Sequence, residues 1–373
     1  MTKEELTNTK KQRARRRRRT RAAIYTLLLT LLLGAVVFVV ALYLKNIEKQ
    51  KKIEDLEAAI LVEKANYDAV INGGSYIKKE DAEILINDAK LAGRNELKED
   101  ILGRFDDGQG ILTILENVYS EKIVVPDAGG YYFYDPDEKL AMHGLDNNKF
   151  IYPVYNEEIG DYEGELSYND EAVTTRKGVD VSKFQGDINW KKVKNDGIEF
   201  AMIRVGFRGY ETGKIVEDEK FKDNIEGCNN NGIDAGVYFF TEAKNEAEGR
   251  EEADFIIDLI KDYKINMPVV IDVEESANTS KSRTKNVTPE ERTKIIIAFC
   301  ERIKEAGYEP MIYGNLKSHM RMTDIYQLEN YSKWFAYYRT PLRYPYKMSI
   351  WQYTATGSVD GIKGDVDLNI AFY

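Results

Sequence analysis

The sequence has few of the residues from which metal sites and disulfide frameworks are built. Its 373 residues include only two cysteines, Cys228 and Cys300, and two histidines, His143 and His319. Two cysteines are too few for a disulfide framework, and both lie in apolar, helix-like segments that favour buried thiols, although an exported chain could pair them. Neither histidine has metal-ligand spacing around it, so a zinc site and a Ser/His nucleophilic triad are poorly supported. We expect no metal and no cofactor.

Acidic side chains outnumber basic ones outside the N-terminal segment. Residues 1–45 contain 11 basic and 2 acidic side chains, whereas the whole chain has a net charge of −10, which leaves about −19 for the remainder. Binding to nucleic-acid phosphates requires clustered Lys and Arg. An acidic surface of this kind therefore argues against a nucleic-acid partner.

Long runs without charge are also rare, with one exception near the N-terminus. Ala22 to Leu44 is a run of 23 residues without a charged side chain, long enough to cross a hydrocarbon core of about 30 Å as a helix. The basic segment 1–21 precedes it, so the positive-inside rule predicts a cytoplasmic N-terminus and an extracellular remainder. A cleaved signal peptide is the alternative, but its apolar core is usually shorter, about 7–15 residues, and ends at small residues. We therefore predict a single-pass plasma-membrane anchor.

Residues 45–176 predict a stalk or spacer region. Residues 45–66 are charged, lack Pro and Gly, and place apolar residues on one helical face, as in a short coiled coil. Two further helical patterns follow, one from Lys78 to Lys90 and one around Ile111 to Val118. Short strand-like pieces with turn signals occupy residues 122–176. The sequence offers no chemistry for this region.

Strand-like segments recur eight times after Lys177. They alternate at first with helical patterns, such as Pro289 to Ala306, and this alternation indicates an α/β barrel. The late connections Arg339–Lys347 and Thr354–Gly364 are too short and too rich in Pro or Gly for crossover helices. We therefore predict an irregular TIM-like (β/α)5(β)3 barrel over residues 177–373, as the catalytic domain. Its strands are predicted at Gly178–Ser182, Phe200–Val205, Ala235–Phe240, Val269–Asp272, Pro310–Tyr313, Trp334–Tyr338, Met348–Tyr353 and Val366–Leu368.

The most informative segment runs from Pro268 to Glu275. An apolar, β-branched run ends there in Asp272 and Glu274, and side chains two residues apart on a strand share a face. Hydrolysis of a glycosidic bond needs a proton donor and a second carboxylate that acts on the oxocarbenium-like centre. A strand that leaves the core into a solvated acidic turn is the alternative interpretation, and the segment alone leaves both open.

Four ordered motifs make residues 177–373 similar to glycoside hydrolase family 25, the Chalaropsis-type lysozymes. The motifs are Gly178–Gly186 with Ile188–Trp190, Val270–Glu274, Trp351–Tyr353 and Gly364–Asn369. Each motif is weak alone, but the ordered set is specific. The resemblance covers nothing before Lys177. The sequence departs from the family at Phe239, where members often carry His.

The resemblance implies an N-acetylmuramidase that cleaves the β-1,4 bond between N-acetylmuramic acid and N-acetylglucosamine in peptidoglycan. It implies that Asp180, Asp272, Glu274 and Asp367 line one acidic mouth at the C-terminal ends of the barrel strands. By resemblance, Glu274 is the most confined carboxyl group and the protonated general acid, and Asp272 stays anionic to orient or stabilise the reacting centre. A retaining or an inverting outcome stays open.

Aromatic and amide side chains around such a mouth are candidate substrate-binding residues. Pyranose faces stack on flat rings, and sugar hydroxyls need fixed hydrogen-bond partners. The candidates are Tyr238, Tyr313, Tyr337, Trp351 and Gln352. For Trp334, a core role and a binding role are equally open.

Together these features predict a membrane-anchored, outward-facing peptidoglycan hydrolase of a bacterium whose wall faces the plasma membrane directly. Its partners are expected to be glycan strands and, through residues 22–44, the membrane; protein partners stay open. Its role is expected to be wall remodelling or the local opening of the wall. Two alternatives remain: a catalytically idle wall-binding scaffold, and another glycan hydrolase such as a chitinase-like enzyme.

Overall fold

The computed structural model of the protein describes residues 79–106, 109–127, 130–156, 161–163, 165–276 and 280–373. The predicted basic tail, membrane span and coiled-coil stalk lie outside these residues and stay predictions. Within the described ranges, no helix is both long enough and apolar enough to cross a membrane. The chain divides into two compact units, one reaching to Ser120 with Pro126–Tyr131 and the other comprising Glu121–Val125 with Tyr132–Tyr373.

Two helices make up most of the described part of the first unit. Helix α1 spans Lys79–Asp106 and helix α2 spans Ile111–Val118. Helix α1 continues well beyond the predicted end at Lys90, because no proline interrupts it and charged pairs such as Arg104 and Asp100, 2.8 Å apart, support its last turns.

In the described part of the chain, six short strands precede the barrel and pair locally. Strand β3 pairs antiparallel with β6, and β4 pairs antiparallel with β5. The strand-like pieces predicted between residues 122 and 176 therefore form separate two-stranded sheets. Their bounds are β1 Ile123–Asp127, β2 Gly130–Tyr134, β3 Phe150–Ile151, β4 Val154–Asn156, β5 Asp161–Glu163 and β6 Ser167–Tyr168.

The remaining strands form a nine-stranded sheet that closes into an eight-stranded barrel. Closure comes from pairing of β8 with both β7 and β10, while β9 is added antiparallel to β8 outside the ring. Seven of the barrel strands run parallel to one another. The last, β15, lies between β14 and β7 and runs antiparallel to both. The bounds are β7 Thr175–Val181, β8 Phe200–Arg208, β9 Ile215–Glu217, β10 Asp234–Phe240, β11 Val269–Asp272, β12 Pro310–Asn315, β13 Ser332–Ala336, β14 Ile350–Gly357 and β15 Val366–Phe372.

Four α-helices follow the first four barrel strands. They are α3 Trp190–Asn195, α4 Phe221–Asn231, α5 Glu246–Ile260 and α6 Pro289–Glu305. Helix α6 begins as the sequence predicts, because Thr288 and Glu291 form a reciprocal capping box and Pro289 occupies the first turn.

The α/β barrel predicted from the sequence is thus present, but the described residues do not contain the expected fifth helix. The connection after β12 contains only a π-helical segment, Ser318–Met322. The hydroxyl of Thr323 donates to the carbonyls of Ser318 and His319 and closes this segment after a single turn.

Two of the apolar cores lie on opposite sides of the barrel wall. The larger core fills the space between strands and helices and includes the free, buried thiols of Cys228 and Cys300. A second core fills the barrel interior, where Gly178 faces the ring of Phe200. A Cβ atom at position 178 would lie 2.2 Å from Cζ of Phe200, so the close approach of β7 to β8 requires glycine there.

A third core covers the helix-free side of the barrel. There, residues from the segment 123–168 pack against the outward faces of β13, β14 and β15. Phe150 meets Trp351 edge to face with ring centroids 5.3 Å apart. The segment before the barrel therefore covers the apolar faces that crossover helices cover elsewhere.

Candidate active site

Four carboxylates meet at the C-terminal end of the parallel strands. Asp180 is the penultimate residue of β7, Asp272 ends β11, and Glu274 follows two residues later. Asp367 lies near the start of β15, but because β15 is antiparallel, its start reaches the same end and Asp367 pairs in register with Asp180. Active sites of β/α barrels lie at this end.

These acids line one open cavity of about 310 Å³, called here the acidic cavity. Such a volume is at the lower end of the range of ligand pockets. Its walls combine the four carboxylates with aromatic rings, one amide and one guanidinium. The lining residues are Asp180, Arg204, Tyr238, Phe240, Asp272, Glu274, Tyr313, Trp334, Tyr338, Gln352 and Asp367.

A chain of hydrogen bonds fixes the carboxylate of Asp180. Its Oδ2 accepts from Nε2 of Gln352 and from Nδ2 of Asn369, each at 2.8 Å. Nε1 of Trp334 donates to Oδ1 of Asn369 at 2.7 Å. The hydroxyls of Tyr313 and Tyr338 lie 2.8 and 2.6 Å from Oε1 of Gln352. The N–H group of Trp334 therefore orients the amide of Asn369, and the hydroxyls of Tyr313 and Tyr338 orient the amide of Gln352.

Burial raises the pKa of every acid in the cluster. For Asp180, which is 6% exposed, burial and the charge of Asp367 raise the pKa to about 8, against the effect of the two amide donors. For Asp272, 5% exposed, burial first and the charge of Glu274 second raise the pKa well above its ordinary value. Its Oδ1 is buried and has no hydrogen-bond partner among the described residues.

The two less buried acids shift in the same direction. Burial raises the pKa of Glu274, and the charge of Asp367 adds to this, while the Tyr313 hydroxyl lowers it. Burial raises the pKa of Asp367 to about 6. The sequence prediction made Glu274 the most confined acid, but Asp180 and Asp272 are more buried because they still belong to their strands, whereas Glu274 extends beyond β11.

Arg204 supplies the positive charge of the acidic cavity. It forms a 2.7 Å ion pair with the buried Asp218 and lies with its Cζ 5.0 Å from the ring centre of Phe184. The Arg204 charge lowers the pKa of Asp272 but is not among the groups that act on Glu274. Within this pair of acids, Arg204 therefore favours the anion on Asp272. The ring of Phe184 is 76% exposed beside Arg204.

Three of the five predicted binding residues line the acidic cavity, namely Tyr238, Tyr313 and Gln352. Tyr337 and Trp351 do not, because both lie in the core on the outer face of the barrel wall. Nε1 of Trp351 donates to the carbonyl of Tyr337 at 2.7 Å. Tyr337 lies three residues after the inward-facing Trp334, and Trp351 lies next to the inward-facing Gln352. Because a strand places successive side chains on opposite faces, these odd spacings turn Tyr337 and Trp351 outward.

Sequence reasoning missed Arg204, Phe240, Tyr338 and Asn369, and left Trp334 undecided. Strand periodicity offered the missing signal, since Trp334 and Tyr338 keep even spacing and Asn369 lies two residues after Asp367. Phe239, at which the sequence departs from the family, is not part of the lining of the acidic cavity. Its side chain faces outward, and its ring centre lies 6.0 Å from that of Phe255.

With this geometry established, comparison with known proteins identifies the barrel. Residues 179–362 match the family model of glycosyl hydrolases family 25. The chain contains a family 25 domain. Asp180, Asp272 and Glu274 lie inside the matched range, and Asp367 lies just beyond its end. The four-motif resemblance is confirmed at the level of the family, and the domain is by family a glycoside hydrolase domain.

Two curated relatives are similar to about half of this chain. Lysozyme M1 of Streptomyces globisporus is 29% identical over 205 residues, which cover 52% of this chain and 66% of the relative. The autolytic lysozyme of Clostridium acetobutylicum is 25% identical over 203 residues, covering 52% of this chain and 55% of the relative. The chain thus spans less than two thirds of the length of either protein.

A solved structure extends the likeness beyond the family 25 domain. The modular autolysin LytC of Streptococcus pneumoniae is 25% identical with a TM-score of 0.50. That match covers 68% of this chain and 57% of LytC.

Proposed function

We propose that the protein is a peptidoglycan hydrolase of the lysozyme type that cleaves the β-1,4 bond between N-acetylmuramic acid and N-acetylglucosamine. The observation that carries this proposal is the set of four carboxyl groups with raised pKa values in one cavity, with Asp272 and Glu274 two residues apart. Carboxyl groups held partly protonated near neutral pH are the means by which glycosidases supply a proton to the leaving oxygen. The names of the two curated relatives, a lysozyme and an autolytic lysozyme, agree with this chemistry.

Glu274 is assigned as the general acid and Asp272 as the supporting anion. Two adjacent carboxyl groups titrate as a pair, so the loss of one proton raises the pKa of the remaining acid. The Arg204 charge lowers the pKa of Asp272 and so acts in favour of the anion there, against burial, which raises the pKa of both acids. Glu274 also extends beyond its strand into the cavity, where a leaving oxygen can reach it. The anion of Asp272 then stabilises or orients the positively charged reacting centre.

Asp180 and Asp367 complete the negative field on the opposite wall. Asp180 is held by two amide donors, so its position is fixed before substrate arrives. The rings of Tyr238, Trp334 and Tyr338 provide flat surfaces and hydroxyl groups for a pyranose. This lining suits a neutral sugar ring with several hydroxyls.

The place of action proposed for this domain is the outer face of the plasma membrane. Support comes from the sequence, where the uncharged run 22–44 follows the basic segment 1–21. An enzyme tethered there would remodel the wall or open it locally beside its own membrane.

Reducing-end analysis tests the activity. The full-length protein in mild detergent is incubated with purified peptidoglycan, and the new reducing ends are reduced with borohydride and identified by mass spectrometry. We expect muraminitol at the new ends. Glucosaminitol would contradict the bond assignment, and binding to the wall without any new ends would favour an idle scaffold.

Protease protection tests the location. Protease added to intact protoplasts should remove the family 25 domain while an N-terminal tag survives, because the tag lies on the cytoplasmic side of the membrane. Release of a soluble protein that begins after Leu44 would contradict the anchor.

A further inference from the structure

A second cavity adjoins the acidic cavity and shares Glu274 as a wall. It has a volume of about 210 Å³ and is called here the arginine cavity. Its lining includes three cationic side chains, Lys285, Arg292 and Arg321, together with Glu274 and Glu275. Glu275 is neutralised by an ion pair with Lys317 at 2.5 Å. The charge that remains in this cavity is therefore positive when Glu274 holds its proton.

Arg292 is the unusual member of this lining. Its side chain is only 9% exposed, yet its guanidinium makes no hydrogen bond and no ion pair with any other described residue. A buried cation without a partner is costly, and burial lowers the pKa of Arg292. Arg292 also lies in the first turn of α6, where the helix dipole disfavours positive charge. No hydrogen bond and no ion pair from a described residue stabilises this charge.

The carboxylates nearest to Arg292 are already occupied. Glu242 and Glu275 both act on Arg292 electrostatically but form no ion pair with it. The side-chain oxygens of Glu242 accept hydrogen bonds from Ser276, Ser282 and Thr284, which also form the rim of the cavity. The five N–H donors of Arg292 therefore remain available to a group that enters the arginine cavity.

We propose that the arginine cavity is a subsite that binds a carboxylate of the substrate while the glycan occupies the acidic cavity. This inference rests on the proposed function, because it takes the substrate to be a glycan that carries carboxylates. A planar guanidinium at the end of a cavity matches a carboxylate through two parallel hydrogen bonds. The shared wall at Glu274 means that one substrate can reach both cavities. In peptidoglycan the carboxylate belongs either to a stem peptide or, where the peptide has been removed, to the lactyl group of muramic acid.

Kinetics of the full-length Arg292→Gln variant on three substrates test this inference. The substrates are peptidoglycan with its stem peptides, the same glycan after amidase has removed the peptides, and stem-bearing peptidoglycan whose carboxylates have been amidated. Arg292→Gln should raise KM by roughly 10- to 100-fold on a substrate that offers the recognised carboxylate, since hydrogen bonds to charged groups have this worth. It should leave kcat nearly unchanged, and it should have little effect on the amidated substrate. Arg292→Lys should restore part of the affinity.

Matched controls separate binding from folding. Arg302→Gln removes the same charge from the same helix, where Arg302 pairs with Asp254 outside both cavities, and it should behave like the wild type. Thermal unfolding of Arg292→Gln should show a folded protein, because the substitution removes an unpaired buried charge.

The two carboxylate sources give different patterns. A loss confined to stem-bearing glycan identifies the stem peptide, and a loss confined to peptide-free glycan identifies the lactyl carboxylate. An equal KM for Arg292→Gln and wild type on all carboxylate-bearing substrates overturns the inference while leaving the proposed function intact. If the wild type releases no reducing ends, the proposed function fails. The inference is then tested by comparing the affinity of the wild type and of Arg292→Gln for a disaccharide-peptide. Equal binding would then overturn it.

Discussion

At the scale of single residues, the site combines reactivity with a cost in stability. In the folded protein Asp180 has a pKa of about 8, whereas its ordinary value is 3.8. Between these two values the folded state binds more protons than the unfolded state. The contribution of Asp180 to stability is therefore complete below about pH 4 and is lost as the pH rises towards 8.

The first prediction follows from this sign. Asp180→Asn removes a charge that is costly to bury and keeps an oxygen that accepts from Gln352 and Asn369. We expect the substitution to raise the free energy of unfolding at pH 8 by about 1 kcal/mol or more, a usual worth of relieving a strained functional site, and to change it little at pH 4. Urea denaturation at the two pH values measures this. Asp258→Asn, on an exposed helix face, should show no such pH-dependent gain, and an equal effect of Asp180→Asn at both pH values would contradict the account.

At the scale of elements, the alternation of strand side chains decides which aromatic residues reach substrate. Trp334 and Gln352 face the acidic cavity, while Tyr337 and Trp351 face the core outside the barrel wall. Strand positions were predictable from the sequence because β-branched and apolar runs are strong signals. Residue type alone did not indicate which face each aromatic side chain occupies, because both faces of these strands are apolar; the odd spacing of Tyr337 and Trp351 from Trp334 and Gln352 separates the two faces.

The second prediction separates these two faces. Trp351→Ala removes a ring that packs against Phe150 and should lower the free energy of unfolding by about 3–5 kcal/mol, as expected for a buried large-to-small change. Because Trp351 lies outside the acidic cavity, the folded fraction should keep its KM for peptidoglycan. Urea denaturation and kinetics at low temperature, where the variant stays folded, provide both values. A large rise in KM without a loss of stability would return Trp351 to the binding site.

The helices show a different limit of sequence reasoning. The helical pattern predicted from Pro289 matches the start of α6, where Thr288 and Glu291 form a capping box in the structure. The sequence analysis expected a fifth helix after β12, but in the described residues the Thr323 hydroxyl donates to the carbonyls of Ser318 and His319 and ends the π-helical segment after one turn.

At the scale of the whole molecule, several apolar residues that precede the barrel pack against it, and the predicted boundary at Lys177 stays a prediction. The segment 121–176 supplies Ile123, Leu140, Phe150 and Tyr168 to the core on the helix-free side. This role is not indicated by the sequence, since neither the resemblance nor the barrel strand pattern extends before Lys177. Apolar residues in short strands show that a core exists but not which surface they cover.

The third prediction concerns this packing. A fragment from Glu121 to Tyr373 should fold cooperatively and hydrolyse walls, whereas a fragment from Thr174 should expose the outer faces of β13 to β15 and aggregate or unfold at low denaturant concentration. Circular dichroism with urea titration compares the two fragments. Equal stability of both would show that the segment 121–173 is only a spacer.

The central claim is that Glu274 delivers the proton that cleaves the glycan, and one comparison tests it most directly. Turnover of purified peptidoglycan is measured for the wild type, for Glu274→Gln and for Glu305→Gln, an exposed control on α6. Glu274→Gln keeps size and hydrogen bonding but has no proton to give, so turnover should fall by roughly 100- to 10,000-fold, while folding and glycan binding survive and the control retains full activity. Near-normal release of reducing ends by Glu274→Gln would contradict the account.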